Sequence, residues 1–137
     1  MFSRLIVLAL LTCLTCTAAH AGAEVLPAEQ AFPLKATRAE NGDVLLVFDT
    51  KPGYALYRNR ITVSVPGESD RVVKVVKPDG VMHADEFLGP QEQYRGRTEI
   101  RVLVNDPWKP MKLHVRSQGC ADVGFCYQPL NRTVSFP

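Results

Sequence analysis

Short apolar runs separated by turn sequences extend over most of the chain, and this pattern constrains the fold more than any other feature. The runs are rich in β-branched residues and end at Asn-Gly-Asp, Pro-Gly or Asn-Asp-Pro sequences, which favour turns. They cover residues 32–38, 44–48, 61–65, 71–76, 98–104, 111–116 and 132–136. No window of ten or more residues keeps a helical period. The pattern therefore predicts an all-β chain, with one helical turn within residues 27–32.

The alternation of side chains within these runs predicts how they pack. Residues 98–104 and 111–116 alternate apolar with polar side chains, which gives each strand one buried face. Seven or so such strands, with turns about every 8–12 residues, predict an immunoglobulin-like β-sandwich. We expect residues 132–136 to pair with residues 111–116. Residues 81–97 fit this scheme poorly, so we predict a long surface loop there, of the kind that often carries function.

The first 21 residues have the composition of a targeting segment rather than of a folded domain. Arg4 gives a positive start, residues 5–14 form an apolar run, and Ala19-His20-Ala21 fits a signal-peptidase site. The apolar run is shorter than the about 20 residues that a membrane-spanning helix needs. We therefore predict a cleaved signal peptide over residues 1–21, export to the periplasm, and one domain over residues 22–137 without membrane insertion.

The charge of the chain excludes some classes of function. Sixteen basic residues stand against fourteen acidic ones, and the predicted signal peptide removes only Arg4, so the mature domain is nearly neutral. Nucleic-acid-binding proteins instead concentrate basic side chains on one face, so we expect no nucleic-acid partner. A hydrolase is equally unsupported, because neither a serine elbow nor a paired-carboxylate arrangement is evident.

Two cysteines remain in the mature domain, because Cys13 and Cys16 leave with the signal peptide. If the strands around Cys120 and Cys126 pair, their Cα atoms lie about 5.5 Å apart, the separation of a good disulfide. In an oxidising compartment the ordinary expectation is a structural disulfide. A loop this short gains only about 2.4 kcal/mol from its cross-link, against about 4.7 kcal/mol for a 100-residue loop. Asp122 would, if anything, disfavour a thiolate. These residues alone leave open whether the disulfide is structural or reactive.

Four segments, in order along the chain, resemble one known family. The run Gly119-Cys120-Ala121-Asp122-Val123-Gly124-Phe125-Cys126-Tyr127 resembles the active-site hairpin of the N-terminal periplasmic domain of DsbD, a thiol:disulfide interchange reductase. Residues 26–32 resemble that domain's opening, residues 53–58 its central tyrosine motif, and residues 83–89 its cap loop. The second cysteine is followed here by Tyr-Gln-Pro, whereas family members commonly carry an aromatic residue and two prolines.

The resemblance implies an immunoglobulin-like domain with an active-site hairpin, a cap loop and a reversible Cys120–Cys126 disulfide, without a metal or organic cofactor. It implies electron transfer between periplasmic thioredoxin-like proteins, including a disulfide isomerase and the thiol reductase of cytochrome c maturation. Cys126 would form the mixed disulfide with the partner, and Cys120 would resolve it. Phe87 would cover the cysteines and shield them from oxidation. The other residues expected at the site are Tyr57, Asp85 and Glu86.

Two other functions are compatible with parts of the sequence. An immunoglobulin-like adaptor with an inert disulfide fits the same strand pattern. A metal site formed by Cys120, Cys126, His83 and His114 is disfavoured, because the cysteine spacing is unlike the short C-x₂₋₄-C of structural zinc sites. Because the sequence ends at Pro137, we expect the family's transmembrane and C-terminal thioredoxin-like domains to be absent and a separate membrane protein to donate the electrons, unless the gene is truncated.

Overall fold

A computed structural model describes residues 24–86 and 88–137 of the chain. The predicted signal peptide and Phe87 lie outside these residues. The elements, in chain order, are α1 (Ala28–Ala31), β1 (Leu34–Arg38), β2 (Val44–Thr50), β3 (Tyr54–Tyr57), a 3-10 turn (Arg58–Arg60), β4 (Thr62–Ser64), β5 (Val72–Val76), β6 (Val81–Asp85), β7 (Gly89–Tyr94), β8 (Gly96–Val104), β9 (Met111–Ser117), β10 (Gly119–Ala121), β11 (Phe125–Cys126) and β12 (Leu130–Phe136). None of the helical segments in the described residues has the length and apolar character needed to cross a bilayer.

The strands form three antiparallel sheets, which confirms the prediction of an all-β sandwich. The first sheet has the order β1-β2-β8-β5, the second β11-β10-β3-β7-β6, and the third β12-β9-β4. Buried apolar side chains from all three sheets belong to one hydrophobic cluster. The fully buried members on β2, β8 and β9 are Val44, Leu46, Phe48, Ile100, Val102, Leu113 and Val115. Each alternates with more exposed neighbours, because successive side chains of a strand point to opposite faces.

The predicted pairing of the last two long strands is confirmed. In the third sheet β12 runs antiparallel to β9, with Phe136 opposite Met111 and Leu130 opposite Ser117. Between β9 and β12 the chain leaves the third sheet. After Gln118 it enters the second sheet, where β10 pairs with β3 and Cys120 lies opposite Ala55. The cysteine hairpin therefore belongs to the second sheet, although both of its flanking strands belong to the third.

The prediction of a long loop over residues 81–97 is wrong. The segment folds into a hairpin of β6 and β7, with Ala84 opposite Pro90 and Asp85 opposite Gly89. Residues 86–88 alone connect the two strands. The side chains of β6 are mostly exposed and β7 is polar, so neither strand has the apolar alternation by which strands are recognised in a sequence. The hairpin carries the predicted cap segment toward the cysteines, as described below.

Candidate active site

Cys120 and Cys126 lie opposite each other on β10 and β11 and form a disulfide. Their Cα atoms are 4.1 Å apart, closer than the separation expected from the sequence. The two cysteines differ in exposure, because Cys120 is 6% exposed whereas Cys126 at the edge of the sheet is partly accessible. Cys126 is therefore the more accessible of the two sulfur-bearing residues.

Two glycines allow the hairpin to take this position. A Cβ atom at Gly119 would lie 2.5 Å from Cζ of Phe32 and well under 3.0 Å from the carbonyl oxygen of Ala55, so β10 packs closely only because a side chain is absent. Gly124 has a φ of 94°, a conformation that residues with side chains rarely adopt. Its amide donates a hydrogen bond to the carbonyl of Ala121, 3.0 Å away, which closes the turn.

A cluster of aromatic side chains packs beside the cysteine hairpin. The rings of Phe32 and Tyr127 meet edge to face with centroids 5.5 Å apart, and Phe125 meets Tyr127 in the same way at 4.9 Å. The Tyr127 hydroxyl donates a hydrogen bond to the carbonyl of Leu26, and the Leu26 amide donates one to the Tyr54 hydroxyl at 2.8 Å. Burial, together with the neighbouring Tyr54, raises the pKa of Tyr127 to about 12. The residue after the second cysteine is therefore a neutral anchor that ties the hairpin to the N-terminal segment.

A cavity of about 430 Å³ lies over the disulfide. Its lining includes both cysteines together with Tyr57, His83, Asp85, Glu86, Gln93 and Arg95. The structure thus places Tyr57, Asp85 and Glu86, three of the residues expected from the sequence, around the cysteines. Phe87, the expected cap residue, lies outside the described residues. Gln93 and Arg95 were missed, because they fall in a polar segment without a motif.

Tyr57 and Asp85 form a polar pair beside the disulfide. Tyr57 is 1% exposed, and its hydroxyl donates a hydrogen bond to Oδ2 of Asp85. The amide of Leu88 donates a hydrogen bond to Oδ1 of Asp85 at 2.8 Å, which fixes the carboxylate at the tip of the β6–β7 hairpin. One carboxylate oxygen lies within 4.8 Å of both sulfur atoms. Burial raises the pKa of Tyr57 well above its usual 10.0, and Asp85 adds to this effect, so the phenol is a neutral donor.

Arg95 and Asp122 form an ion pair on the same cavity wall. The two terminal nitrogens of Arg95 donate to the two carboxylate oxygens of Asp122 at 3.0 and 2.9 Å. The hydrogen bond to Arg95 holds the pKa of Asp122 below its usual range, and the same bond raises the pKa of Arg95. From the sequence, Asp122 is expected to act as a charge that opposes a thiolate. The ion pair changes this view, because the positive charge of Arg95 compensates the carboxylate.

The metal site considered from the sequence is not assembled. His114 lies on β9 in the third sheet, opposite Thr133 and Ser64, whereas both cysteines lie in the second sheet. In the part of the chain that the structure describes, the one trio of metal-ligating side chains near the cysteines is Asp85, Cys120 and Cys126. Metals bind cysteine as the thiolate, and in the disulfide the two sulfurs are bonded to each other.

Comparisons with known proteins agree with this geometry. The family described as "Thiol:disulfide interchange protein DsbD, N-terminal" matches residues 22–137. The chain is 39% identical to the thiol:disulfide interchange protein DsbD of Citrobacter koseri and to that of Salmonella typhimurium, and 38% identical to that of Escherichia coli K12. Each match covers 98% of this chain and 24% of the relative. The chain thus spans about a quarter of the length of these relatives.

Two solved structures from Neisseria meningitidis share the fold. The N-terminal domain of DsbD in its reduced form superimposes with a TM-score of 0.73 at 28% identity, covering 82% of this chain and 89% of that one. A structure of the complex between the DsbD and PilB N-terminal domains gives a TM-score of 0.70 at 26% identity, covering 82% and 87%. The predicted immunoglobulin-like β-sandwich is therefore confirmed.

Proposed function

This chain belongs to the family of DsbD N-terminal domains, and on that premise we propose that it carries electrons between thioredoxin-like proteins through its Cys120–Cys126 disulfide. The observation that carries the proposal is the disulfide itself. It joins β10 to the two-residue edge strand β11, and both cysteines line an open cavity. A disulfide that served only to hold the fold together would gain more by joining distant strands, since cross-link stabilisation grows with loop length.

The difference in exposure supports separate roles for the two sulfurs. A thiolate of a reduced partner attacks Sγ of Cys126, the accessible sulfur, and the Cys120–Cys126 bond breaks. Cys120 leaves as a thiolate and takes up a proton. A second partner thiol, once deprotonated, then attacks the partner's sulfur in the mixed disulfide, and Cys126 leaves and is protonated. The domain gains two electrons and two protons, and the partner becomes a disulfide. Donation to a client follows the same steps in reverse.

The Asp85 carboxylate is placed to influence this exchange. It lies within 4.8 Å of both sulfurs, and a nearby negative charge disfavours a second one. In our proposal Asp85 keeps the resting thiols protonated, and the neutral Tyr57 hydroxyl holds the carboxylate toward them. Glu86 adds a further carboxylate to the same wall. The domain would therefore react slowly with small oxidants until a partner docks and changes the surroundings of the sulfurs.

The remaining parts of the proposal concern the subcellular localisation of the protein, the cap and the partner proteins. We propose that residues 1–21 direct the chain to the periplasm and that Phe87 caps the site between reactions. The clients would be thioredoxin-like proteins, such as a disulfide isomerase and the thiol reductase of cytochrome c maturation, and the donor a membrane protein. Support comes from the related structure in which a DsbD N-terminal domain is bound to the N-terminal domain of PilB. The exposed side chains of Val123 and Phe125 beside Cys126 offer an apolar surface for such contacts.

The proposal is tested by redox equilibration with thioredoxin, whose reduction potential is about −270 mV. The purified protein and thioredoxin are mixed in both directions, quenched with acid, alkylated with a polyethylene-glycol maleimide and separated by gel electrophoresis. We expect Cys120 and Cys126 to move together between dithiol and disulfide, and the equilibrium constant to give the reduction potential. A double variant with both cysteines changed to serine controls for labelling elsewhere.

The alternative function gives a different result in the same experiment. An adaptor with an inert disulfide keeps Cys120 and Cys126 oxidised at every ratio of reduced thioredoxin. That outcome would overturn the exchange function and leave the family relationship as evidence of ancestry alone.

A further inference from the structure

We propose that Arg95 is a positioning residue that holds the turn of the active-site hairpin through Asp122, and that it does so chiefly when the disulfide is open. The inference rests on the proposed function, because it concerns the reduced state of the same cysteine pair. The hydrogen bonds of Arg95 join it to Asp122, Tyr54 and Gln93. Its role is to limit how far the turn that carries Cys126 moves after that bond has broken.

The contacts of Arg95 link three parts of the second sheet. Its guanidinium forms the two-bonded pair with Asp122, at 3.0 and 2.9 Å. One of the same nitrogens also donates to the carbonyl of Tyr54 on β3 at 3.3 Å, and the other donates to Oε1 of Gln93 on β7 at 3.4 Å. A planar guanidinium suits such a fork, because its donors are fixed relative to one another. Arg95 thereby links the hairpin turn to β3 and β7.

Few other interactions hold the outer half of the hairpin. The strand β11 has two residues and pairs only with β10, through Cys126 opposite Cys120 and Phe125 opposite Ala121. Residues 122–125 are exposed. The Asp122 amide bonds the carbonyl of Gly53 at 2.8 Å, which holds the start of the turn. Among the residues that the structure describes, the side-chain links of this turn include the disulfide, the Arg95–Asp122 pair and the edge-to-face contact of Phe125 with Tyr127.

Reduction removes the covalent member of this set of links. When the sulfur–sulfur bond breaks, the sulfurs separate to a non-bonded distance of at least about 3.5 Å, and the covalent link is lost. The Arg95–Asp122 pair then carries a larger share of the restraint on the turn. Loss of Arg95 therefore destabilises the reduced state more than the oxidised state. The equilibrium shifts toward the disulfide, and the reduction potential becomes more negative.

The test is the reduction potential of single variants, measured by equilibration with dithiothreitol buffers at pH 7 and thiol alkylation. Exposed ion pairs are weak, but two-bonded arginine–carboxylate pairs are stronger, so we expect Arg95→Gln to lower the reduction equilibrium constant about threefold. At about 30 mV for a tenfold change in a two-electron couple, this is a shift of about −14 mV. Asp122→Asn should give the same shift, and the double variant no more than either single one.

Two further variants separate position from charge. Arg95→Lys keeps the positive charge but lacks the fork, so a positioning role predicts a shift close to that of Arg95→Gln. Arg97→Gln is the matched control, because Arg97 is close in sequence, pairs with Glu99 at 3.8 Å on β8 and does not line the cavity of the cysteines. Its potential should equal that of the wild type. Thermal unfolding of the oxidised variants checks that each of them is folded.

The outcomes distinguish this inference from the proposed function. Unchanged potentials in Arg95→Gln and Asp122→Asn would overturn the positioning role while leaving the exchange function intact. A wild-type potential in Arg95→Lys alone would show that the charge of Arg95, rather than its geometry, acts on the site. Additive shifts in the double variant would show that the two residues act separately. A wild-type disulfide that no dithiothreitol buffer opens would overturn the exchange function itself, and this inference with it.

Discussion

The substitution Gly119→Ala is expected to loosen the whole active-site end of the domain. Its Cβ atom would lie 2.5 Å from Cζ of Phe32, about 1 Å short of ordinary contact, which begins at 3.4 Å. It would also meet the Ala55 carbonyl, a backbone group that cannot rotate away. The strand β10 must then move off β3 and carry Cys120 with it. Overpacking typically costs 1–3 kcal/mol, and we place this case at about 3 kcal/mol because the clash involves backbone.

The assay is thermal and guanidinium unfolding of the oxidised protein. A loss of about 3 kcal/mol in a domain of this size lowers the melting temperature by about 10 °C. Gly67→Ala is the matched control, because nothing lies within 4 Å of its Cβ position and it is far along the chain from the cysteines. Gly67 has a φ of 81°, so the control should cost only the backbone penalty of about 1 kcal/mol. If Gly119→Ala melted as high as Gly67→Ala, the close packing of β10 would not govern stability, and the reasoning would be refuted.

Three further predictions concern the cysteines, the cap and the buried tyrosine. Cys120→Ser should trap a mixed disulfide with thioredoxin through Cys126 on a non-reducing gel; trapping by Cys126→Ser instead would reverse the assigned roles. Phe87→Ala should speed the oxidation of the reduced protein by hydrogen peroxide, and an unchanged rate would argue against a protective cap. Tyr57→Phe should lower the free energy of unfolding by about 1–2 kcal/mol at pH 7, because the bond to Asp85 is lost. Because folding raises the pKa of Tyr57, the stabilisation from its hydroxyl is complete below about pH 10 and is lost as the pH rises through the pKa of the folded state. The difference in unfolding free energy between wild type and Tyr57→Phe should therefore shrink only in alkali. A difference that stayed constant in alkali would contradict this account.

The sandwich could be predicted where strands have one buried face. The alternation over residues 98–104 and 111–116 predicted β8 and β9, since polar and apolar positions repeat with the period of a strand. The strand β3 gives no such signal, because all four of its residues are buried. The hairpin of β6 and β7 was mistaken for a loop for the opposite reason, since β6 is mostly exposed along its length. Strands without a contrast between their faces are therefore the ones that sequence analysis misses.

The site was predictable to the extent that its parts are close in sequence. Cys120 and Cys126 share one hairpin, so their spacing sufficed to place them opposite each other. Asp85 and Tyr57 were expected only through resemblance to a family, because they come from different strands that the fold brings together. Arg95 and Asp122 are 27 positions apart, and nothing in either segment indicates the other. Pairings of this kind depend on sheet order, which short-range patterns do not encode.

The chain passes from the third sheet to the second at Gln118, and this limits which part of the domain changes when the cysteines are oxidised or reduced. The backbone carbonyl of Gln118 accepts a hydrogen bond from the Tyr57 amide at 3.0 Å, and its side chain donates one to the Tyr127 carbonyl at 3.0 Å. The chain before this point is fastened to β12 and β4, whereas the chain after it is fastened to β3. Parts of a protein open locally with different free energies. We therefore expect oxidation and reduction of the cysteines to change amide hydrogen exchange more in residues 119–127 than in β9 and β12, because the chain changes sheets at Gln118.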